Sequence, residues 1–271
     1  MFRRKKKVGI LELSGVIANP TKLAPYLELL NNINNDKSIG SVLINIDSPG
    51  GTVSGSDIIY NKIKKINQKK PVIAFISGTG ASGAYYIACG SSLIIASSQS
   101  MIGSIGVIVI KPIIQELMNK VGVNVDIFKA GSLKDMTGMW RKSTKIEKEK
   151  FQKLVNHFYD SFVNLVSTER KITPEKTRNL ATGEVFLAPE AKDLQLIDSI
   201  QSFDEAIEQA AKLGKCSKKT KQFKIQKPFI ERLLGKYTNE SEKISFKEVF
   251  SIITAGGFYF LPDSWSGFMD F

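Results

Sequence analysis

The chain has 271 residues, 42% hydrophobic and 24% charged, with a formal net charge of +12 and two cysteines. That length can bury a substantial core, as one large domain or two small ones. No run approaches the roughly 20 apolar residues that cross a bilayer, and Val8–Leu13, which follows the basic run Arg3–Lys7, is too short for a signal peptide and has no small-residue cleavage site after it.

Cys89 and Cys216 cannot build a disulfide framework. Neither a His pair nor a Cys pair occurs at ligand spacing, which argues against a metal site. A basic excess can attract nucleic acid or an anionic membrane. No nucleic-acid motif accompanies the lysines here, and the aromatics are not interleaved with them, so nucleic acid is not expected as a partner. The lysines read as a solvated surface. Arg3, Arg4, Lys5, Lys6 and Lys7 remain a candidate peripheral contact with an anionic membrane.

Short apolar runs alternate with helical patterns along the chain. Val8–Leu13 predicts a strand. Thr21 is a suitable N-cap for a helix from Lys22 to about Asn35, with Pro25 tolerated in its first turn. Ser41–Ile46 predicts a strand, Asp57–Ile66 a helix and Val72–Ile76 a strand. Ser82–Cys89 reads as a short buried helix, and Leu93–Ala96 and Ile105–Ile110 as strands. Pro112–Lys120 reads as helix, Val123–Lys129 as strand and Ile146–Lys171 as the longest helix. Thr173-Pro174 caps another helix, and Ala188–Leu194 and Phe203–Leu213 are the last. Such alternation implies βαβ units and a largely parallel sheet, an α/β class. Gly214 is a natural helix stop. We therefore expect a folded domain over 1–214, a basic linker over 215–245 and an apolar, aromatic tail over 246–271 that must dock on something.

Two glycine-rich turns join a strand to a helix. Asp47-Ser48-Pro49-Gly50-Gly51-Thr52 lets bare backbone N–H groups face a ligand, although an ordinary turn has the same look. It lacks the Gly-Lys-Ser/Thr of a phosphate loop. In Gly78-Thr79-Gly80-Ala81-Ser82-Gly83-Ala84, Ser82 falls at a helix N-terminus, where negative charge is favoured. A plain N-cap serine would sit there too. The single histidine, His157, lies in the long helix; a lone helix histidine is more often structural than catalytic.

Five motifs in order resemble one family. They are Ser48-Pro49-Gly50-Gly51, Ala81-Ser82-Gly83-Ala84-Tyr85-Tyr86-Ile87-Ala88, Gly103-Ser104-Ile105-Gly106-Val107, Gly131-Ser132-Leu133-Lys134-Asp135 and Thr182-Gly183-Glu184-Val185-Phe186. From about Val8 to Ala211 the chain resembles the signal peptide peptidase A and SohB type of serine peptidase. The resemblance implies a Clp-protease/crotonase-like fold, a superhelix of ββα units around a largely parallel sheet. It implies Ser82 as nucleophile and Lys134 as general base, with Ser104 holding the lysine and the N–H groups of Gly51 and Gly83 as the oxyanion hole. Ala84 departs from the glycine often found in the family, and the C-terminal extension is not explained by it.

A lysine is a base only when neutral, so apolar surroundings must lower its pKa from about 10.4; Ile105, Val107, Leu133 and Met136 are the expected neighbours. No cofactor is needed. The family also implies a peptide or protein substrate, such as cleaved signal peptides or membrane-derived polypeptides, and a homo-oligomeric ring whose dyads can join neighbouring chains. A bacterial protein, cytoplasmic or peripheral to the membrane, is expected. The alternatives are an acyl-CoA enzyme of the crotonase fold and a non-catalytic binding scaffold.

Overall fold

The computed structural model describes residues 5–17, 23–224 and 259–260. Its first half is strand–helix alternation: β1 (Lys7–Ser14), α1 (Ala24–Asn35), β2 (Ile39–Ser48), β3 (Gly51–Thr52), α2 (Val53–Asn67), β4 (Val72–Ala81), α3 (Gly83–Ala88), β5 (Leu93–Ala96) and β6 (Met101–Gly103). Helices α4 (Gln115–Lys120), α5 (Lys145–Arg170) and α6 (Pro174–Leu180) follow, then β7 (Val185–Leu187), α7 (Ala188–Asp193), β8 (Ser199–Ile200), α8 (Phe203–Leu213), β9 (Thr220–Phe223) and β10 (Tyr259–Phe260).

Eight strands form one sheet in the order β7-β6-β4-β2-β1-β9, with β5 beside β4 and β8 beside β5. All pairs in it are parallel except β6 with β7. A parallel sheet needs both faces covered, so its strands are apolar on both sides. In β2, Val42, Ile44 and Ile46 enter the larger core, while Leu43 points into the smaller one. Likewise Ile73 and Phe75 of β4 join Ala206 and Ala210 of α8 on the second face. The first face carries Leu30 of α1, Ile59 and Ile63 of α2, Tyr85 of α3 and Phe162 of α5. Each such side chain contributes roughly 1.5–3 kcal/mol by leaving water.

Local chemistry explains where the helices begin. The Thr52 side chain caps α2, which starts four residues before the sequence periodicity suggests. Thr144 and Glu147 form a reciprocal capping box on α5, as Ser202 and Glu205 do on α8. Helix α1 begins at Ala24 after Leu23, which makes no side-chain cap; the expected Thr21 cap lies outside the described residues.

Three expectations need correction. Ile105–Ile110 and Val123–Lys129 form no strand of the sheet. A strand needs a partner, and the chain between Ser104 and Thr144 leaves the sheet, exposing Val121, Val123, Val125 and Phe128. The basic stretch read as a linker from 215 contains β9, which pairs with β1 at the sheet edge and buries Phe223. Arg3, Arg4 and residues 225–258 and 261–271 lie outside the description. Among the described residues, no helix is long and apolar enough to cross a membrane.

Candidate active site

The C-terminal ends of parallel strands gather most of the singled-out residues, the usual place for ligands in such sheets. Strand β2 runs out at Ser48, β4 at Ala81 and β6 at Gly103. Ser48 pairs with Gly80, and Ala81 with Gly103. Ser82 therefore follows β4 directly and Ser104 follows β6 directly.

The turn that presents Gly51 is pinned by Ser48, whose hydroxyl donates to Gly15 O at 2.6 Å and accepts from Gly50 N at 3.2 Å. Ile17 then lies along Gly51: Ile17 N donates to Gly50 O at 2.8 Å, and Thr52 N donates to Ile17 O at 3.0 Å. A Cβ on Gly51 would stand 2.1 Å from Ile17 O, so only glycine fits. Because successive peptide groups alternate in direction, the Gly51 N–H faces away from Ile17. On that side β10 pairs antiparallel with β3, Phe260 opposite Gly51. The expected docking of the tail is described only for these two residues.

Ser82 is fully buried and adopts φ 54°, ψ −119°, a left-handed conformation that favours glycine. Its N–H donates to Gly103 O at 2.7 Å, and its C=O accepts from Tyr86 N at 2.9 Å. Its side chain makes no cap hydrogen bond, and its Oγ is buried without a partner among the described residues. A capping serine would use that oxygen on the helix, so the cap reading fails here. Gly83 opens α3, in the first turn, where N–H groups have no intrahelical acceptor. Helix α3 packs beside β3. It is held from below by Tyr85, whose hydroxyl donates to Leu196 O at 2.8 Å.

Ser104 is buried with φ 48°, and its N–H donates to Glu184 O at 2.6 Å. The preceding Gly103 has φ 112° and lies against Phe186. The Thr182–Phe186 motif therefore braces the Gly103-Ser104 motif through β7.

Lys134 lies elsewhere. It sits on a turn closed by Lys134 N to Gly131 O at 3.1 Å and Met136 N to Leu133 O at 3.2 Å. Its side chain is exposed and makes no hydrogen bond or ion pair among the described residues. Of the expected apolar neighbours, Ile105 is buried in the main core, while Leu133 and Met136 are half-buried. One chain by itself thus brings together Gly51, Ser82, Gly83 and Ser104, but does not bring Lys134 to Ser82.

Sequence reasoning missed the charge cluster beside Lys134. Asp135 accepts from Lys129 and from Arg141, whose guanidinium also grips Glu147. These cations hold the Asp135 and Glu147 carboxyls down at about 2. Arg141 and Glu147 are six positions apart, with no helix between them to signal the contact. The other reactive side chains are poorly placed. Burial pushes the Cys89 thiol up to about 12, which disables it as a nucleophile. His157 is on the exposed side of α5, edge-on to Phe158.

Residues 64–217 match the family described as peptidase family S49. A protease-class protein of Methanocaldococcus jannaschii is 35% identical over 71% of this chain and 62% of its own length. One of Synechocystis sp. is 36% identical over 85% of this chain and 84% of its own. The chloroplastic serine protease SPPA of Arabidopsis thaliana is 31% identical over 67% of this chain but 27% of its own length.

Proposed function

Since the chain belongs to peptidase family S49, a family of serine peptidases, we propose that it is an endopeptidase in which Ser82 attacks the peptide carbonyl and Lys134 is the general base. The observation that carries this reading is the Ser82 hydroxyl, buried with no partner among the described residues, on a strained backbone at the head of α3. An unpaired buried hydroxyl costs about 1–3 kcal/mol, and strain of that kind clusters at functional sites.

The chemistry runs as follows. The neutral Lys134 amine takes the proton from Ser82 Oγ as the oxygen bonds to the carbonyl carbon. The carbonyl oxygen becomes an oxyanion, facing the Gly83 N–H and, with β10 displaced from that side of β3, the Gly51 N–H, each donor worth about 2.7–4 kcal/mol. Collapse breaks the C–N bond, and the Lys134 ammonium protonates the leaving amine. Lys134 then takes a proton from water as the water oxygen attacks the acyl carbon; the ester C–Oγ bond breaks to release the acid, and the Lys134 ammonium returns its proton to Ser82 Oγ. Ser104 orients the amine. Signal peptides and unfolded or membrane-derived polypeptides are the proposed substrates.

Lys134 reaches Ser82 from a neighbouring subunit of a cyclic homo-oligomer. Supporting this, the Lys134 side chain is exposed and has no partner among the described residues, and the segment that carries it exposes Ile113, Leu117, Val121 and Phe128. So much apolar surface is costly in water, and its enclosure by a second copy supplies the desolvation that lysine needs as a base. The test uses casein hydrolysis and a fluorophosphonate label. Ser82→Ala and Lys134→Ala are each expected to be inactive and folded, and mixing them under subunit exchange should restore part of the activity. Substantial hydrolysis by either single variant refutes the dyad. No recovery despite verified exchange refutes the shared site.

A further inference from the structure

We propose that Arg141 is a positioning residue for catalysis: it clamps the turn bearing Lys134 to the first turn of α5, through Asp135 on one side and Glu147 on the other. The proposal rests on Lys134 as the base. Lys134 sits in an exposed excursion whose own backbone bonds are local, such as Gly138 N to Asp135 O at 2.9 Å. Such a turn does not by itself hold an amine to the tolerance that proton transfer requires.

The tie to the body is made by side chains. Asp135, adjacent to Lys134, is only 8% exposed. Its Oδ2 accepts from Arg141 Nε at 3.0 Å. The same guanidinium donates from Nη1 to Glu147 Oε2 at 2.9 Å and from Nη2 to Glu147 Oε1 at 2.5 Å. Glu147 is 1% exposed and also accepts from Thr144 N at 2.8 Å, closing the capping box of α5. That helix runs 26 residues and plants Phe162, Val163 and Val166 in the core. The chain of contacts is therefore Lys134–Asp135, Arg141, Glu147, α5 and the core. Only a planar fork can grip one carboxylate with two nitrogens while a third holds the other; a lysine cannot. The turn also ties Asp135 to Lys129, which comes from the same excursion and so gives no anchor to the body.

The experiment compares Arg141→Lys and Asp135→Asn with wild type in the full chain. Both keep a polar side chain in place, which protects folding better than Arg141→Ala. Active sites are titrated to completion with the fluorophosphonate, so that kcat is counted per reactive Ser82. A misplacement on the order of 1 Å costs about 100-fold, so we expect kcat per titrated site to fall about 10- to 100-fold with KM within about twofold. The double variant should be no worse than the poorer single one, because both break one clamp. Wild-type kcat per titrated site in both variants would overturn the proposal. So would a loss accounted for wholly by fewer titratable sites, or a change in KM alone. Lys134→Ala is assayed alongside. If it is inactive while Arg141→Lys is fully active, only the clamp falls; if it hydrolyses casein, the base assignment and the clamp fall together.

Discussion

Replacing Ser82 by glycine should make the protein more stable than replacing it by alanine. Neither variant has a hydroxyl, so their difference isolates the backbone from any partner of Oγ, including one from a second subunit. Ser82 holds φ 54°, ψ −119° inside a fully buried turn. A non-glycine residue in such a region costs about 1–3 kcal/mol. Glycine relieves that strain but gives back about 0.4–1 kcal/mol through its freer unfolded chain. The net expectation is that Ser82→Gly exceeds Ser82→Ala by roughly 0.5–2 kcal/mol. In a chain of this size each kcal/mol moves the thermal midpoint by about 2–4 °C. Urea unfolding followed by circular dichroism measures the difference, and both inactive variants are free of self-cleavage. An alanine variant as stable as the glycine variant, or more so, would show that the turn stores no strain at Ser82.

Two further expectations follow from the site. Gly51→Ala drives a Cβ against Ile17 O, so it should cost about 1–3 kcal/mol as an overpacked position and lower kcat about 10²- to 10³-fold by misaiming an oxyanion donor; a variant with wild-type melting and turnover would remove Gly51 from the site. The second concerns acid. Asp135 and Glu147 are held at about 2, below their ordinary values of 3.8 and 4.5, chiefly by hydrogen bonds from Lys129 and Arg141 respectively. A depressed carboxylate adds stability that is complete above its unfolded pKa and is lost as pH falls through its folded one. Wild type should therefore lose stability faster than Arg141→Ala between about pH 4.5 and 2, read as urea midpoints at each pH; parallel curves would mean that the cluster is not coupled to folding.

The apolar runs Ser41–Ile46 and Val72–Ile76 predict strands that lie within β2 and β4, and the Phe203–Leu213 pattern predicts α8 residue for residue, because local packing needs leave a local record. The turns around Gly51 and Ser82 are legible for the same reason: glycine and small residues mark turns that larger side chains cannot make; Ser104 is singled out only by the family resemblance. Alternating valines over Val123–Lys129 misled, since strand-like alternation also suits an extended segment with apolar surface still to cover. The fork of Arg141 between Asp135 and Glu147 left no pattern, because it depends on how a turn folds back onto a helix end. The sequence determined which side chains the chemistry has available and which turns carry them. Only the tertiary structure decided which of them meet: Ser82, Gly83, Gly51 and Ser104 converge because parallel strands end at one edge of the sheet, whereas Lys134 stays outside because its segment leaves the sheet unpaired.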